Sequence, residues 1–359
     1  MTQILQKRPP ALNLRAGYLA RELIVKEGLQ ARLVDTIPGA AGGPKGIGIQ
    51  GLDQAIFGDF LAQAPQRRTL VGSSIGSWRF ASILAWGAKE GTERLSELYT
   101  NLYFHKKMSR HDVGNICRGM LIDLIQGKEQ QLVNHPDYHL AVISIKAQHI
   151  FQSDHSLPLL ASVAGIIGSN ALGRKHNRLF MQRVISQPEI GTQFKVDDDF
   201  VTHYQTLNSD NVTPWLMASA SIPGVMAAIR DIPDAPKGSY RDGGLIDYHI
   251  DLPFESQGIV LYPHFSDRIT PGWFDKMLKK RQANPENQAR TLLISPSQEY
   301  LQSLPLGRLP DRKDFTLKGL DQKQRIQMWS QCVAESQRLG DEFLEMVEKQ
   351  NFPQFIQNL

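Results

Sequence analysis

The stretch Thr69-Leu70-Val71-Gly72-Ser73-Ser74-Ile75-Gly76 determines how this sequence is interpreted. Three β-favouring residues lead into a Gly-x-Ser-x-Gly pentapeptide centred on Ser74, and an apolar segment, Ser77 to Trp86, predicts a helix after it. A strand, a sharp turn and a helix in this order expose a serine hydroxyl at the edge of a sheet. Gly72 and Gly76 keep side chains from colliding across the turn. The pattern predicts a nucleophilic serine, although a turn without chemistry fits the same five residues.

A glycine-rich loop precedes this serine by about thirty residues. Ala31 to Ile37 is predicted to be a strand, and it runs into Pro38-Gly39-Ala40-Ala41-Gly42-Gly43-Pro44-Lys45-Gly46. The loop does not fit a phosphate-binding P-loop, because Pro44 stands where the second glycine belongs and Gly46 follows the lysine. Backbone N–H groups without neighbouring Cβ atoms suit an oxyanion hole, which stabilises charge that develops in a transition state. A plain tight loop has the same composition.

A third signal is Asp242-Gly243-Gly244. An aspartate followed by two glycines can approach another backbone closely, because no side chain intervenes. Asp-Gly also favours an ordinary turn. His249 and His264 follow Asp242, in the chain order of a Ser–Asp–His triad.

Composition restricts the class of protein. At 359 residues the chain can bury a large core, and 41% hydrophobic with 21% charged residues is typical of an ordinary globular protein. The net charge of +4 comes without a basic block interleaved with aromatics, so we expect no nucleic-acid partner. Transient contact with an anionic lipid surface is compatible with this charge. Two isolated cysteines, Cys117 and Cys332, indicate reduced thiols and a cytoplasmic location.

Two segments bear on targeting and membranes. Met1 to Pro10 has no apolar core, so no signal peptide is expected there. Leu157 to Leu172 is the longest apolar stretch, but it is too short and too interrupted to span a bilayer. We predict a buried helix for this stretch, with a lipid-contacting cap as the alternative.

Strand and helix patterns alternate along the chain, which predicts an α/β fold with a largely parallel sheet. Asn13 is predicted to cap a helix that runs to about Gln30, and Asp321 to Gln350 is predicted to be helical. We therefore expect an N-terminal helical extension over residues 1–30, a catalytic domain over 31–320, and a C-terminal helix over 321–359 packed on it. Further strands are predicted at Leu140–Ile145, Leu179–Ile185, Gly258–Tyr262 and Thr291–Ile294.

Taken in order, four motifs resemble those of the patatin-like phospholipase family. They are the glycine-rich loop, the Gly-x-Ser-x-Gly turn, the segment Ala218 to Gly224, and Asp242-Gly243-Gly244, and the resemblance covers roughly residues 32 to 250. The loop departs from the family pattern Gly-Gly-Gly-x-Lys/Arg-Gly, since Ala41 replaces its first glycine. The resemblance implies a three-layer α/β/α sandwich around a mainly parallel sheet.

The resemblance also implies the chemistry of the site. Ser74 would be the nucleophile and Asp242 the base that takes its proton, in hydrolysis of an acyl ester through an acyl-enzyme that needs no metal or cofactor. We prefer this Ser–Asp dyad to a triad that uses a histidine. The loop and its surroundings would bind the oxyanion and substrate, and the remaining glycines would be structural. The first group is Gly42, Gly43, Lys45, Gly46 and Ile75, and the second is Gly72, Gly76, Gly243 and Gly244.

Three functions follow from these residues. The first is a serine hydrolase that acts on a phospholipid, a lysophospholipid or another acyl ester. The second is a catalytically weak relative that binds an acyl chain or a membrane surface, because Ala41 departs from the family pattern and the last third of the chain carries no matching motif. The third is acyl transfer to an acceptor other than water.

Overall fold

The described residues of this computed structural model, 9–105 and 107–359, form a sheet of ten strands. Six of the nine strand pairings are parallel. The strands are β1 (Leu12–Ala16), β2 (Val34–Gly39), β3 (Arg68–Ser73), β4 (Tyr138–Ala147), β5 (Met181–Gln187), β6 (Thr202–Thr206), β7 (Tyr240–Asp242), β8 (Ile259–Pro263), β9 (Thr291–Pro296) and β10 (Ile356–Asn358).

Helices cover the sheet, and the expected α/β/α sandwich with a mainly parallel sheet is confirmed. All residues of β8 and β9 are buried, as parallel strands between two helical layers require. The α-helices are α1 (Tyr18–Glu27), α2 (Gln50–Gln54), α3 (Ile75–Trp86), α4 (Ala88–Thr100), α5 (Arg110–Ile125), α6 (Glu129–Val133), α7 (Ser156–Leu172), α8 (Val212–Ala220), α9 (Gln298–Ser303), α10 (Gln322–Glu335) and α11 (Gln337–Lys349).

The strand order brings the sequence motifs to one edge of the sheet. The strands lie in the order β10-β1-β9-β8-β2-β3-β4-β5-β6, so β2 and β3 are parallel neighbours near the centre. Gly39 and Gly72 are paired at their carboxyl ends, and therefore the glycine-rich loop and the serine turn begin side by side. Sites in α/β folds form at this edge.

A short antiparallel strand brings the aspartate to the same place. Strand β3 pairs with β4 as far as Ile143, and β7 pairs with β4 from Ser144 onward, opposite Asp242. Because β5 occupies the other edge of β4 over these residues, β7 takes the edge that β3 leaves. The last residue of β7 thus lies just beyond the end of β3, next to the residue that follows β3.

Most of the predicted strands are confirmed, with ends shifted by a few residues. The predicted helix from Asn13 is wrong at its start, since Leu12–Ala16 is the strand β1 and the helix begins at Tyr18. Burial alternates along β1, with Leu12, Leu14 and Ala16 buried, as the period of a strand requires. The first eight residues, where no signal peptide was expected, lie outside the described residues.

The apolar segment forms the predicted helix, α7, but the prediction that this helix is buried is wrong for its outer face. Leu157, Leu160, Ile167 and Leu172 are exposed, whereas Leu159 and Ile166 are buried. No helix in the described ranges is long and apolar enough to cross a membrane. The alternative of a lipid-contacting cap is taken up below.

The C-terminal segment is helical, as predicted, but it forms two helices. Asp321 caps α10 through a capping box with Gln324, and Ser336 separates α10 from α11. Trp329 and Phe343 are buried in the main core. Strands from all three expected segments, 1–30, 31–320 and 321–359, share the one sheet, and the proposed division remains a prediction.

Candidate active site

Ser74 lies on a strained turn between β3 and α3. Its backbone angles, φ 54° and ψ −126°, belong to a region that non-glycine residues rarely occupy. Such strain persists only where surrounding contacts hold it. The Ser74 N–H donates to Ser219 Oγ at 2.8 Å, and that hydroxyl donates to the Ile143 carbonyl at 2.6 Å. The turn is thus fastened to β4 through one buried hydroxyl.

Asp242 accepts a hydrogen bond from the predicted nucleophile. Ser74 Oγ donates to Asp242 Oδ2 at 3.0 Å, and both side chains are buried. The other carboxylate oxygen accepts the Gly244 N–H at 2.7 Å. The carboxylate is therefore held on one side by the backbone and presents its second oxygen to the serine, which is the geometry that a general base needs.

Burial dominates the electrostatics of this pair. Loss of solvent raises the pKa of Asp242 to about 6, and the Gly244 N–H, the Arg312 guanidinium, the Ser74 hydroxyl and the Lys276 ammonium pull it back. The pKa of Lys276 is itself lowered by loss of water around its ammonium, which lies 3.8 Å from the Tyr248 ring centroid, and then by Lys45 and Arg312. The carboxylate is ionised at neutral pH but close to its titration range.

Three backbone N–H groups beside the serine have no acceptor among the described residues: those of Gly42, Gly43 and Ile75. All three residues line the same cavity as Ser74. The Ile75 N–H opens α3, so the positive end of the helix dipole lies there. These groups are available to stabilise a negative charge that develops next to Ser74 Oγ.

Ala41, the departure from the family loop pattern, does not block this arrangement. Its N–H donates to the Tyr248 carbonyl at 2.9 Å, so it is not a free donor. A Cβ atom on Gly244 would come within 2.7 Å of Ala41 Cβ, which shows that the two positions are packed together. The alanine methyl group is therefore accommodated by the second glycine of Asp242-Gly243-Gly244.

The other predicted site residues lie further from the cavity. Lys45 pairs with Asp311 at 3.6 Å and lies over the Phe265 ring, and neither Lys45 nor Gly46 lines the cavity. Gly46 packs against the side chain of Ile75. Among the glycines expected to be structural, Gly72, Gly76 and Gly243 lie against the backbones of Ser77, Gly39 and Ile143.

His249 and His264 form no hydrogen bond to Ser74 or Asp242. Their rings pack edge to face, with centroids 4.3 Å apart, and their Nδ1 atoms accept the N–H groups of Thr270 and Ser266. Burial lowers the pKa of both, to about 3 for His264, so both are neutral. Ser74 reaches Asp242 directly, with no histidine between them.

A cavity of about 620 Å³ opens above the serine. Cys117 lines this cavity, but its thiol is not a competing nucleophile, because burial raises the pKa of the thiol to about 12. The apolar wall has the size and character to hold an acyl chain. It comprises Trp78, Tyr99, Leu102, Phe104, Val113, Cys117, Val163, Met226, Phe274 and Phe315.

Three polar residues of the site were not predicted from the sequence. Ser219 lies within the segment that resembles the family, but no role followed from its type. Arg312 lines the cavity and lowers the pKa of Asp242 from the last third of the chain. Lys276 does not line the cavity but also lowers the pKa of Asp242. Arg312 lies in the charged run Asp311 to Asp314, and nothing in that run indicates proximity to Ser74.

This fold and this site define a class of α/β protein: a mostly parallel sheet with a serine on a strand–helix turn and an aspartate one hydrogen bond away. The sequence model of the patatin-like phospholipases matches residues 45–251, more than half of the chain, and includes both of these residues. The chain belongs to the patatin-like phospholipase family, a family of lipid acyl hydrolases. No individually curated protein sequence matches it significantly.

Proposed function

We propose that this protein hydrolyses acyl esters of lipids with a Ser74–Asp242 dyad. The observation that carries the proposal is the buried 3.0 Å hydrogen bond from Ser74 Oγ to Asp242 Oδ2 at the floor of an apolar cavity. A carboxylate at this distance can take the serine proton without an intermediary. The apolar wall supports a lipid acyl chain as the group that is held above the serine.

In the first half of the proposed reaction, Ser74 Oγ attacks the ester carbonyl carbon as its proton passes to Asp242. The carbonyl oxygen becomes an oxyanion, which accepts hydrogen bonds from the N–H groups of Gly42, Gly43 and Ile75. Collapse of this intermediate breaks the ester bond, and Asp242 returns the proton to the leaving alcohol. The acyl group remains esterified to Ser74.

In the second half, water replaces the alcohol. Asp242 takes a proton from the water as its oxygen attacks the acyl-enzyme carbonyl, and the same N–H groups stabilise the second oxyanion. Ser74 leaves with the proton from Asp242, and the fatty acid is released. If an alcohol or a thiol takes the place of water, the product is a transferred acyl group, which is the acyl-transfer alternative.

Fluorophosphonate labelling tests the proposal. An activated serine displaces fluoride from the probe and gains one phosphonyl group, which intact-protein mass spectrometry detects. We expect one adduct on the wild type, none on Ser74→Ala, and one on Ser73→Ala, the matched control in which the neighbouring serine is removed. Hydrolysis of short-chain p-nitrophenyl esters should follow the same order.

The other outcomes are equally informative. A folded wild type that gains no adduct and releases no p-nitrophenol would contradict the proposal and support the lipid-binding relative. An adduct that persists on Ser74→Ala would assign the nucleophile to another residue. New esters or thioesters in the presence of added alcohols or thiols would identify a transferase.

A cytoplasmic location belongs to the same proposal and is supported by Cys117 and Cys332, which form no disulfide with each other.

The rate should fall as the pH drops through about 6. Asp242 must be ionised to accept the serine proton, and burial raises its pKa to about 6. Below that pH the carboxyl group is protonated, so kcat/KM should decrease about tenfold per pH unit. Arg312→Gln removes a charge that favours the ionised form, so it should move this acidic limb to higher pH. The pH profile for a soluble, short-chain ester measures both effects.

The control for this prediction is Lys313→Gln, which removes another positive charge from the wall of the same cavity. Its profile should shift less than that of Arg312→Gln. A limb near the ordinary pKa of an aspartate, or a limb that Arg312→Gln does not move, would show that a different group controls the rate.

A further inference from the structure

The outer face of α7 is an apolar surface in contact with solvent. Its 17 residues extend for about 25 Å at the usual rise of an α-helix. Leu157 is 80% exposed, Leu160 67% and Leu172 85%, and Ile167 lies on the same stripe. Single exposed apolar residues need no explanation, but a continuous stripe of them marks an interaction surface. We call this stripe the α7 face: Leu157, Leu160, Ala161, Ala164, Ile167, Gly168, Ala171 and Leu172.

The orientation of this helix is fixed by polar contacts on its inner side. Ser162 and Asn170 are buried, and Asn170 Nδ2 donates to Asp275 Oδ1 at 2.8 Å. Asp275 lies in the 3₁₀ turn Trp273–Met277. Its carboxylate also accepts the N–H of Gly272, the residue just before that turn. The inner side of α7 holds Ser162 and Asn170 beside Leu159 and Ile166, while Leu157, Leu160 and Leu172 face outward, so the side toward solvent is not polar as it is in an ordinary surface helix. The α7 face is therefore held outward by satisfied hydrogen bonds.

The α7 face is continuous with the wall of the cavity above Ser74. Val163, on the inner side of the same helix, lines that cavity together with Trp273 and Phe274 of the adjoining turn. Trp273 and Met277 are also exposed, so the apolar surface extends from the helix onto the turn. A lipid held at this surface lies beside the entrance to the cavity.

The charged residues within the segment that contains α7 are all basic. From His155 to Pro188 the sequence contains no aspartate or glutamate, and Arg174, Lys175, Arg178 and Arg183 all lie within it. Arg174 and Arg183 are paired with buried aspartates, whereas Lys175 and Arg178 are exposed directly after the helix. An apolar helix face with basic residues at its end is complementary to a lipid surface that contains anionic head groups.

We propose that the α7 face is a docking surface for a membrane that contains anionic lipid. The helix lies in the plane of the interface, Lys175 and Arg178 bind head groups, and the entrance beside Trp273 faces the bilayer. Pairing of the face with a second copy of this chain is the other outcome, and light scattering of the same variants distinguishes it. The biological purpose of this docking surface rests on the proposed lipid hydrolysis. Vesicle binding can be tested without any hydrolysis.

Vesicle binding tests this inference without turnover. The full chain carrying Ser74→Ala is sedimented with vesicles of phosphatidylcholine alone, or of phosphatidylcholine mixed with phosphatidylglycerol. We expect stronger binding to the mixed vesicles. Leu160→Glu should weaken it about tenfold or more, and Leu172→Gln should weaken it less. Val25→Glu is the matched control, since Val25 is 62% exposed on α1, and it should bind like the parent protein.

The charge arm uses Lys175→Gln with Arg178→Gln. This pair should lower binding to the mixed vesicles about tenfold and leave binding to phosphatidylcholine alone unchanged, while Lys26→Gln on α1 has no effect. Equal binding by the parent and Leu160→Glu would overturn the inference, as would a Leu160→Glu protein that changes oligomeric state in light scattering but still binds vesicles. Hydrolysis of a soluble short-chain ester is measured separately, with proteins that retain Ser74. In that assay Leu160→Glu should be as active as the wild type. If the parent protein does not bind the mixed vesicles but the wild type hydrolyses the soluble ester, only the docking surface is contradicted. If the parent protein binds the mixed vesicles but the wild type does not hydrolyse the soluble ester, only the proposed function is contradicted.

Discussion

Replacing Asp242 by asparagine should lower kcat by about 10³- to 10⁴-fold and, at the same time, make the protein more stable at about pH 8. The loss of rate follows from the proposed role, since a neutral amide cannot take the Ser74 proton. Asparagine has the same shape, so Nδ2 can donate to Ser74 Oγ and Oδ1 can accept the Gly244 N–H in place of the carboxylate. The site would remain assembled without its base.

The gain in stability follows from the sign of the pKa shift. The folded-state pKa of Asp242, about 6, is above its ordinary value of 3.8, because burial disfavours the charged form. Folding therefore loses free energy as the pH rises from about 4 through about 6 and the buried group ionises. A rise of about two units corresponds to about 3 kcal/mol, so removing the charge should increase the free energy of unfolding by about 1–3 kcal/mol at high pH.

Urea unfolding of the wild type and Asp242→Asn at about pH 8 and about pH 4 measures this difference. The stabilisation should be present at the higher pH and nearly absent at the lower, where the folded-state carboxyl group is already protonated. Asp314→Asn is the control of opposite sign. Burial alone would raise the pKa of Asp314, but hydrogen bonds from Arg308, the Asp311 N–H and Trp329 outweigh burial, and the pKa lies below its ordinary value. The ionised carboxylate therefore stabilises the fold, and its replacement should destabilise the protein at about pH 8. A less stable, inactive Asp242→Asn would instead indicate a structural carboxylate.

The local features of the site could be predicted because each depends on neighbouring residues. A strand, a glycine-flanked serine and a helix are recognisable within twenty residues, and so is the loop that ends β2. A parallel sheet also predicts that the serine turn and the glycine-rich loop meet at the same edge. The contact between Ser74 and Asp242 did not, because it depends on β7 taking the edge of β4 beyond Ile143. A three-residue strand leaves no periodic signal in the sequence.

The parts that were not predicted lie where distant segments meet or where periodicity is uninformative. Arg312 reaches the cavity from far along the chain, and its charge matters only because the fold brings it near Asp242. In α7 almost every residue is apolar, so no stripe distinguished the exposed face from the buried one. In β1 five alternating residues precede a helix closely, and the helical pattern was extended over them.

Gly76→Ala should strongly impair both stability and activity, because it forces apart the two halves of the site. A Cβ atom at position 76 would lie 1.9 Å from the Gly39 carbonyl oxygen and 2.3 Å from its carbon, and both belong to backbone. Gly39 ends β2 just before the glycine-rich loop, while Gly76 lies in the first turn of α3, two residues after Ser74. To admit a methyl group, α3, which follows the nucleophile, must move away from β2, which leads to the Gly42 and Gly43 donors. Overpacking against fixed backbone should cost at least about 3 kcal/mol.

Gly114→Ala is the matched comparison. Gly114 lies in α5 with open space where the methyl group would go, so alanine should stabilise the protein by about 0.5–1 kcal/mol through its higher helix propensity. Urea midpoints should therefore move in opposite directions for the same chemical change. Any Gly76→Ala protein that folds should also label poorly with fluorophosphonate, since a shift of about 1 Å between the serine and its oxyanion donors is enough to lower the rate about 10²-fold. Normal stability and labelling of Gly76→Ala would mean that α3 can move away from β2 without disturbing the site, and that the close contact between the serine turn and the glycine-rich loop is not what positions the catalytic groups.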